Sequence, residues 1–245
     1  MEIAGKGALV TGAAKRIGRA IALALAERGA DVVVHYHQSE AAAHETARAI
    51  EAFGVRALAL PADLANVREI EHLIERAADF LGRLDILVNN ASVFFRTPFG
   101  STTEEEWDLH LDVNLKAPFF CAQYAAQIMQ KHGGGKIINI ADWAGFRPYV
   151  GYIPYCVSKA GLIALTQVLA RTLAPTILVT AVAPGPVLLP EEYGEEEVQA
   201  ILAGTPLKRL GAPEDVVRAV LFLIEGSDFI TGHTLVVDGG RLIGP

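Results

Sequence analysis

The stretch Ala8-Leu9-Val10-Thr11-Gly12-Ala13-Ala14-Lys15-Arg16-Ile17-Gly18 decides the fold. A short apolar run stops at a glycine turn, and an amphipathic stretch, Ile17–Arg28, follows at once. Glycine at a strand-to-helix turn lets backbone approach a pyrophosphate, and the helix that starts there offers free N–H donors to an anion. Gly12, Arg16, Ile17 and Gly18 are therefore candidate dinucleotide contacts. The turn sits in the first strand–helix unit, where that mechanism requires it.

Outward from this unit the pattern repeats. Asp31–Tyr36, Val55–Leu60, Leu84–Val88, Lys136–Ile140, Ile177–Val182 and Thr234–Val237 read as further strands, seven with the first. Between them lie the amphipathic stretches Glu40–Phe53, Val67–Leu81, Thr103–Lys131, Pro154–Leu173 and Pro213–Ile224, six with the first. Near-continuous apolar strands indicate a parallel sheet covered on both faces, and regular alternation with helices a doubly wound α/β fold. No linker or repeat divides residues 1–245, so a single domain is expected. The Pro/Gly-rich stretch from Pro184 to about Glu195 is a candidate lid.

The end of the second strand suggests the nucleotide. NAD sites usually place a carboxylate there to grip the ribose hydroxyls. This chain has His35-Tyr36-His37-Gln38-Ser39, and no carboxylate before Glu40. With Arg16 in the neighbouring turn, the cluster suits a phosphate, so NADP(H) is expected, with His35, Tyr36, His37 and Ser39 beside it. Asp63 and Leu64 follow the third strand; Asp63 can receive an adenine amino group, cap the next helix, or do both. Asn89, Asn90, Ala91 and Ser92 end the fourth strand, outside the carboxyl ends where ligands bind.

Composition narrows the class. The chain is 51% apolar with a net charge of −7, which argues against a nucleic-acid footprint. No membrane-spanning run, signal segment, disulfide framework or metal site is expected in the chain, and Cys121 and Cys156 are expected to be buried free thiols in a cytoplasmic protein acting on a small molecule.

Tyr155 and Lys159, four apart on a helical stretch, share one face. A free phenol titrates at about 10. A nearby ammonium favours phenolate, so the pair suits general acid–base chemistry with Lys159 lowering the pKa of Tyr155. The spacing alone is weak evidence.

Together these motifs, with Asn114, the Pro184-Gly185 turn and the closing Val237-Asp238-Gly239-Gly240, resemble the short-chain dehydrogenase/reductase family over essentially the whole chain. The resemblance implies a Rossmann-type sheet, a catalytic Tyr155, and a Lys159 that also binds the nicotinamide ribose. It further implies that Asn114 helps hold a relay water, and that Pro184, Gly185 and Val187 border the nicotinamide. It implies a homotetramer built through Thr103–Lys131 and Pro154–Leu173.

Three departures stand out: Arg16 fills a usual glycine position, Leu189 a usual threonine, and Asp142 the usual serine thirteen positions before Tyr155. An ionised aspartate accepts only, whereas a serine can donate to a ketone oxygen. Asp142 therefore suits a substrate that presents N–H groups, or, if protonated, can itself donate. With the His35-Tyr36-His37 run, this resembles the pteridine reductase branch, in which Ser92 and Phe94 would hold a pterin beside Asp142 and Tyr155. A carbonyl or 3-oxoacyl reductase is the main alternative, ahead of a non-catalytic NADPH-binding module and an extended epimerase or dehydratase.

Overall fold

A computed structural model describes residues 1–189 and 193–244. Seven parallel strands form one sheet: β1 (Gly7–Val10), β2 (Asp31–Tyr36), β3 (Ala57–Pro61), β4 (Ile86–Asn89), β5 (Gly135–Ile140), β6 (Ile177–Pro184) and β7 (Thr234–Val237), in the order β3-β2-β1-β4-β5-β6-β7. Helices α1 (Arg16–Glu27), α2 (Glu40–Glu51) and α8 (Pro213–Glu225) cover one face; α3 (Val67–Leu81), α5 (Ala117–Lys131) and α6 (Ile153–Leu173) cover the other. The pleat sorts the strand side chains. Ala8 and Val10 face the first layer while Leu9 faces the second, and Val32, Val34 and Val33 divide in the same way. Because both faces are buried, these strands read as continuous apolar runs.

Element identity follows the sequence reading, with shifts of about two residues in β3, β4 and β6. Two elements differ. The expected helix Thr103–Lys131 is divided into α4 (Glu104–Leu111), a π-helical turn (Asp112–Lys116) and α5. The cause is Asn114, which is 1% exposed and turned inward to bond the backbone of Val93 and the hydroxyl of Ser158; an inserted residue lets the helix point that side chain at the site. The acidic run at Glu195 opens an additional helix, α7 (Glu195–Ala203). Residues 190–192 of the candidate lid lie outside the described residues.

One membrane expectation needs correction. α6 has 21 residues and is long and apolar enough, by length and composition, to cross a bilayer. It carries the buried Tyr155, Ser158 and Lys159 and packs on β6, so here its apolar surface serves the core.

The strand order reverses between β1 and β4, which opens a crevice at their carboxyl ends. The glycine turn after β1 and Asn90 after β4 meet there.

Candidate active site

That crevice is a cleft of about 770 Å³ that runs from the β2 side of the sheet to the segment after β7. Its cofactor end is made largely of backbone. Gly12 has φ of +62°, and a Cβ there would lie 2.9 Å from Ala91 Cα. A Cβ on Gly18 would come within 2.3 Å of the Gly12 carbonyl oxygen. Neither position tolerates a side chain. Arg16 sits at φ +54°, the left-handed region that explains glycine's usual place there, and its Nη2 donates to the Leu188 carbonyl at 2.6 Å.

Asn90 donates to the carbonyls of Thr11 and Gly12 at 2.9 and 3.1 Å, which ties β4 to the turn. Asn89 crosses to Asn139 on β5 at 2.9 Å. The N-terminus of α1 has no side-chain cap and no acidic residue in its first turn, while Lys15, Arg16 and His37 border the cleft. Free N–H groups and cations at a helix N-terminus fit the phosphates of a dinucleotide. Lys15 and Gln38 escaped the sequence reading; a lysine at a helix start, which the dipole alone disfavours, was the available signal.

Two expected nucleotide contacts, Tyr36 and Ser39, lie outside the cleft, and a third, His35, borders it in another role. His35 is buried, with Nδ1 accepting from Gly12 N–H at 3.0 Å and Nε2–H paired with the Ala62 carbonyl at 3.1 Å. Both ring nitrogens are occupied, and burial lowers the imidazole to about 4, so His35 is a neutral brace under the turn and not a phosphate donor. The Tyr36 ring is buried beside His44, and Ser39 precedes α2; neither lines the cleft. Asp63 and Leu64 do line it. Asp63 Oδ1 accepts from Ala65 N–H at 2.9 Å, and Asn66, not Asp63, caps α3 through Arg68 N–H.

Pro184, Gly185, Val187 and Leu189 form the opposite wall. A Cβ on Gly185 would meet Asp238 Cα at 2.6 Å, so the Pro-Gly turn and the closing Asp-Gly-Gly segment require each other.

At the centre, Tyr155 Oη donates to Asp142 Oδ2 at 2.8 Å. Asp142 Oδ1 accepts from Ala144 N–H at 2.7 Å and from Tyr149 Oη at 3.5 Å. Lys159 Nζ donates to the Ile140 carbonyl at 2.9 Å and lies 5.6 Å from the centre of the Tyr155 ring. The expectation that Lys159 lowers the Tyr155 pKa is not met. Burial, and then the Asp142 charge and bond, push that phenol well above its ordinary value. Burial also raises Asp142, against the pull of its N–H, phenol and ammonium neighbours. Burial lowers Lys159 to about 8, which Asp142 partly opposes.

Asn114 Oδ1 accepts from Ser92 Oγ at 3.1 Å and Val93 N–H at 2.8 Å, and so fixes the strand end that carries Phe94. Phe94 is 38% exposed, stacks on Tyr152 with centroids 4.6 Å apart, and meets the Tyr155 ring edge-on at 4.7 Å. Tyr149, Tyr193 and Arg241 complete this end of the cleft. Tyr193 is a pocket candidate in the sequence, whereas Tyr149 and Arg241 have no marked place in its motifs.

A dinucleotide crevice that holds a buried tyrosine and lysine one helical turn apart defines a nicotinamide-dependent oxidoreductase. A family model described as enoyl-(acyl carrier protein) reductase matches residues 12–241. A 3-oxoacyl-[acyl-carrier-protein] reductase of Synechocystis sp. is 40% identical over 240 residues, covering 96% of each chain. A short chain dehydrogenase from Burkholderia cenocepacia, solved in complex with NADP, superposes with a TM-score of 0.92 at 36% identity, covering 98% of this chain and 99% of the other. A blue fluorescent protein from a metagenomic library, solved with NADPH, gives 0.91 at 35% identity over 98% and 99% of the two chains. The chain belongs to the short-chain dehydrogenase/reductase family, and its cofactor is NADP(H).

Proposed function

We propose that this chain, acting as one domain, is an NADPH-dependent carbonyl reductase, with 3-oxoacyl compounds as the first substrate class to test. The observation that carries this is the Tyr155–Asp142 bond inside the cofactor cleft. The relatives' names support the 3-oxoacyl class.

NADPH, when bound, supplies the hydride. Tyr155 delivers the proton to the substrate oxygen. Its single O–H is aimed at Asp142 Oδ2 and turns to the substrate oxygen for delivery. A protonated Asp142 donates to the phenol oxygen and frees the phenol proton for the substrate; burial of Asp142 favours that form. Lys159, held on the Ile140 carbonyl, would bind the ribose of a bound cofactor and keep positive charge beside the phenol as it loses its proton. Asn114 keeps Ser92 and Val93 in register with the ring wall. Lys15, Arg16 and His37 would hold the phosphates, and Gly12, Ile17, Gly18, Asp63, Leu64, Asn90, Ala91, Pro184, Gly185 and Val187 would border the rest of the nucleotide.

Reduction of a pterin-like ring is the second reading. Asp142 in place of a hydroxyl can accept from ring N–H groups, and the half-exposed Phe94 offers a face for a flat heterocycle.

NADPH oxidation measured side by side with an acetoacetyl thioester, dihydrobiopterin and dihydrofolate separates the two. A higher kcat/KM for the thioester is expected; a higher value for dihydrobiopterin selects the pterin reading. Phe119, Val157 and Val168 remain exposed on α5 and α6, which supports a multimer formed through these helices. Light scattering should report a mass near four chains.

A further inference from the structure

Arg241 leaves β7 in a segment that the rest of the molecule holds in place. Asp238 accepts from Gly240 N–H at 2.8 Å and Leu242 N–H at 2.6 Å. Arg147 Nη1 donates to the carbonyls of Arg241 and Gly244 at 3.3 and 2.9 Å. These bonds set the backbone, and the guanidinium is set in turn: its carbon lies 5.1 Å from the centre of the Trp143 ring. Nη1 donates to the Ile201 carbonyl at 2.7 Å and to Thr205 Oγ1 at 3.3 Å. Nε–H and both hydrogens of Nη2 have no protein partner among the described residues, and Arg241 forms no ion pair among them.

The side chain lines the same cleft as Tyr155. Trp143 packs edge-on against Tyr149 at 5.1 Å, and Tyr149 reaches Asp142. The sheet order puts Arg241, after β7, on the opposite flank from Arg16 and His37, which serve the nucleotide end. A fixed guanidinium with three spare donors is suited to bidentate binding of a carboxylate.

We propose that Arg241 is a specificity-determining residue that binds a carboxylate on the far end of the ketone substrate, so that the enzyme prefers keto acids to their neutral esters. The inference rests on the carbonyl-reductase reading and narrows it. The carboxylate docks at Arg241, the carbon chain or ring lies along Phe94 and Tyr149, and the ketone oxygen reaches Tyr155. The ketone carbon gains the hydride of NADPH and its oxygen the proton of Tyr155, giving a hydroxy acid and NADP⁺.

Two substrate pairs test this: acetoacetate with methyl acetoacetate, and 4-acetylbenzoate with methyl 4-acetylbenzoate. Wild-type enzyme should have a lower KM for the acid in at least one pair. In Arg241→Gln the ratio of acid KM to ester KM should rise about 10- to 100-fold, the loss expected for one charged hydrogen-bonded contact. Arg241→Lys, which keeps the charge, should recover part of the ratio. Arg241 also donates to the Ile201 carbonyl near the end of α7 and to the Thr205 hydroxyl, and a purely structural role would change acid and ester alike, leaving the ratio where it was. An unchanged ratio, or equal KM values for acid and ester in wild type, overturns the proposal and leaves the reductase reading intact. No NADPH-dependent turnover of either member of both pairs overturns the proposal, and inactivity of an acetoacetyl thioester as well overturns the reductase reading.

Discussion

The two ends of the cleft are built by different means. At the nucleotide end, main chain meets main chain. Gly12 and Gly18 leave no room for a Cβ, and Asn90 and His35 clamp the turn through backbone carbonyls and one N–H. At the substrate end, side chains from separated loops form the wall: Phe94, Tyr149, Tyr193 and Arg241. Backbone recognises what every NADP(H) has in common, whereas loop side chains can change without disturbing the sheet. Chemistry belongs to the seam between them, on Tyr155, Asp142 and Lys159.

The seam should show the largest effect. Tyr155→Phe keeps the ring's contact with Phe94 and removes the proton, so kcat should fall about 10²- to 10⁴-fold, the range for losing a general acid. Isothermal titration should show NADPH binding retained. Full turnover by this variant would remove Tyr155 from the mechanism.

The nucleotide end should reveal itself through pH. His35 is held near 4 in the fold against 6.5 for a free imidazole. Between those values the unfolded chain binds the proton and the folded one resists it. Stability should therefore be lost as pH falls from about 6.5 towards 4 and level off below, by about 3 kcal/mol in all at 1.36 kcal/mol per unit. Urea unfolding across this range, compared with His35→Gln, isolates the contribution. Parallel pH profiles for the two proteins would mean that His35 is not the brace described above.

The substrate end should give the smallest change. Phe94→Leu keeps an apolar side chain and loses the ring face. A flat substrate should lose about 0.5–1.5 kcal/mol of binding, or roughly 2- to 13-fold in KM, while an aliphatic 3-oxo ester should change less. Equal effects on both would assign Phe94 to packing alone and blunt the contrast between the two ends.

Much of this was legible in the chain. The seven strands were readable within about two residues because burial on both faces leaves each as an apolar run between turn residues. Gly12 and Gly18 were readable because a strand–turn–helix crossing has few solutions. Other features were not. His35 looks the same in sequence whether its ring faces a phosphate or a carbonyl; its partners, Gly12 and Ala62, lie 23 and 27 residues away. The π-helical turn has no signal in the helical period, because its cause is the pull of Val93 and Ser158 on Asn114. Tyr149 and Arg241 stand in segments without periodicity, and only packing against Trp143 brings them together.

The order of residues by itself determined the alternating elements, the glycine turn and the family, since each depends on contacts within a turn or two of the chain. Tertiary structure alone decided where the protons sit. Tyr155 and Asp142 are thirteen residues apart, and their shifts come from burial and from each other. Desolvation is a property of the assembled cleft that no local pattern of residues encodes.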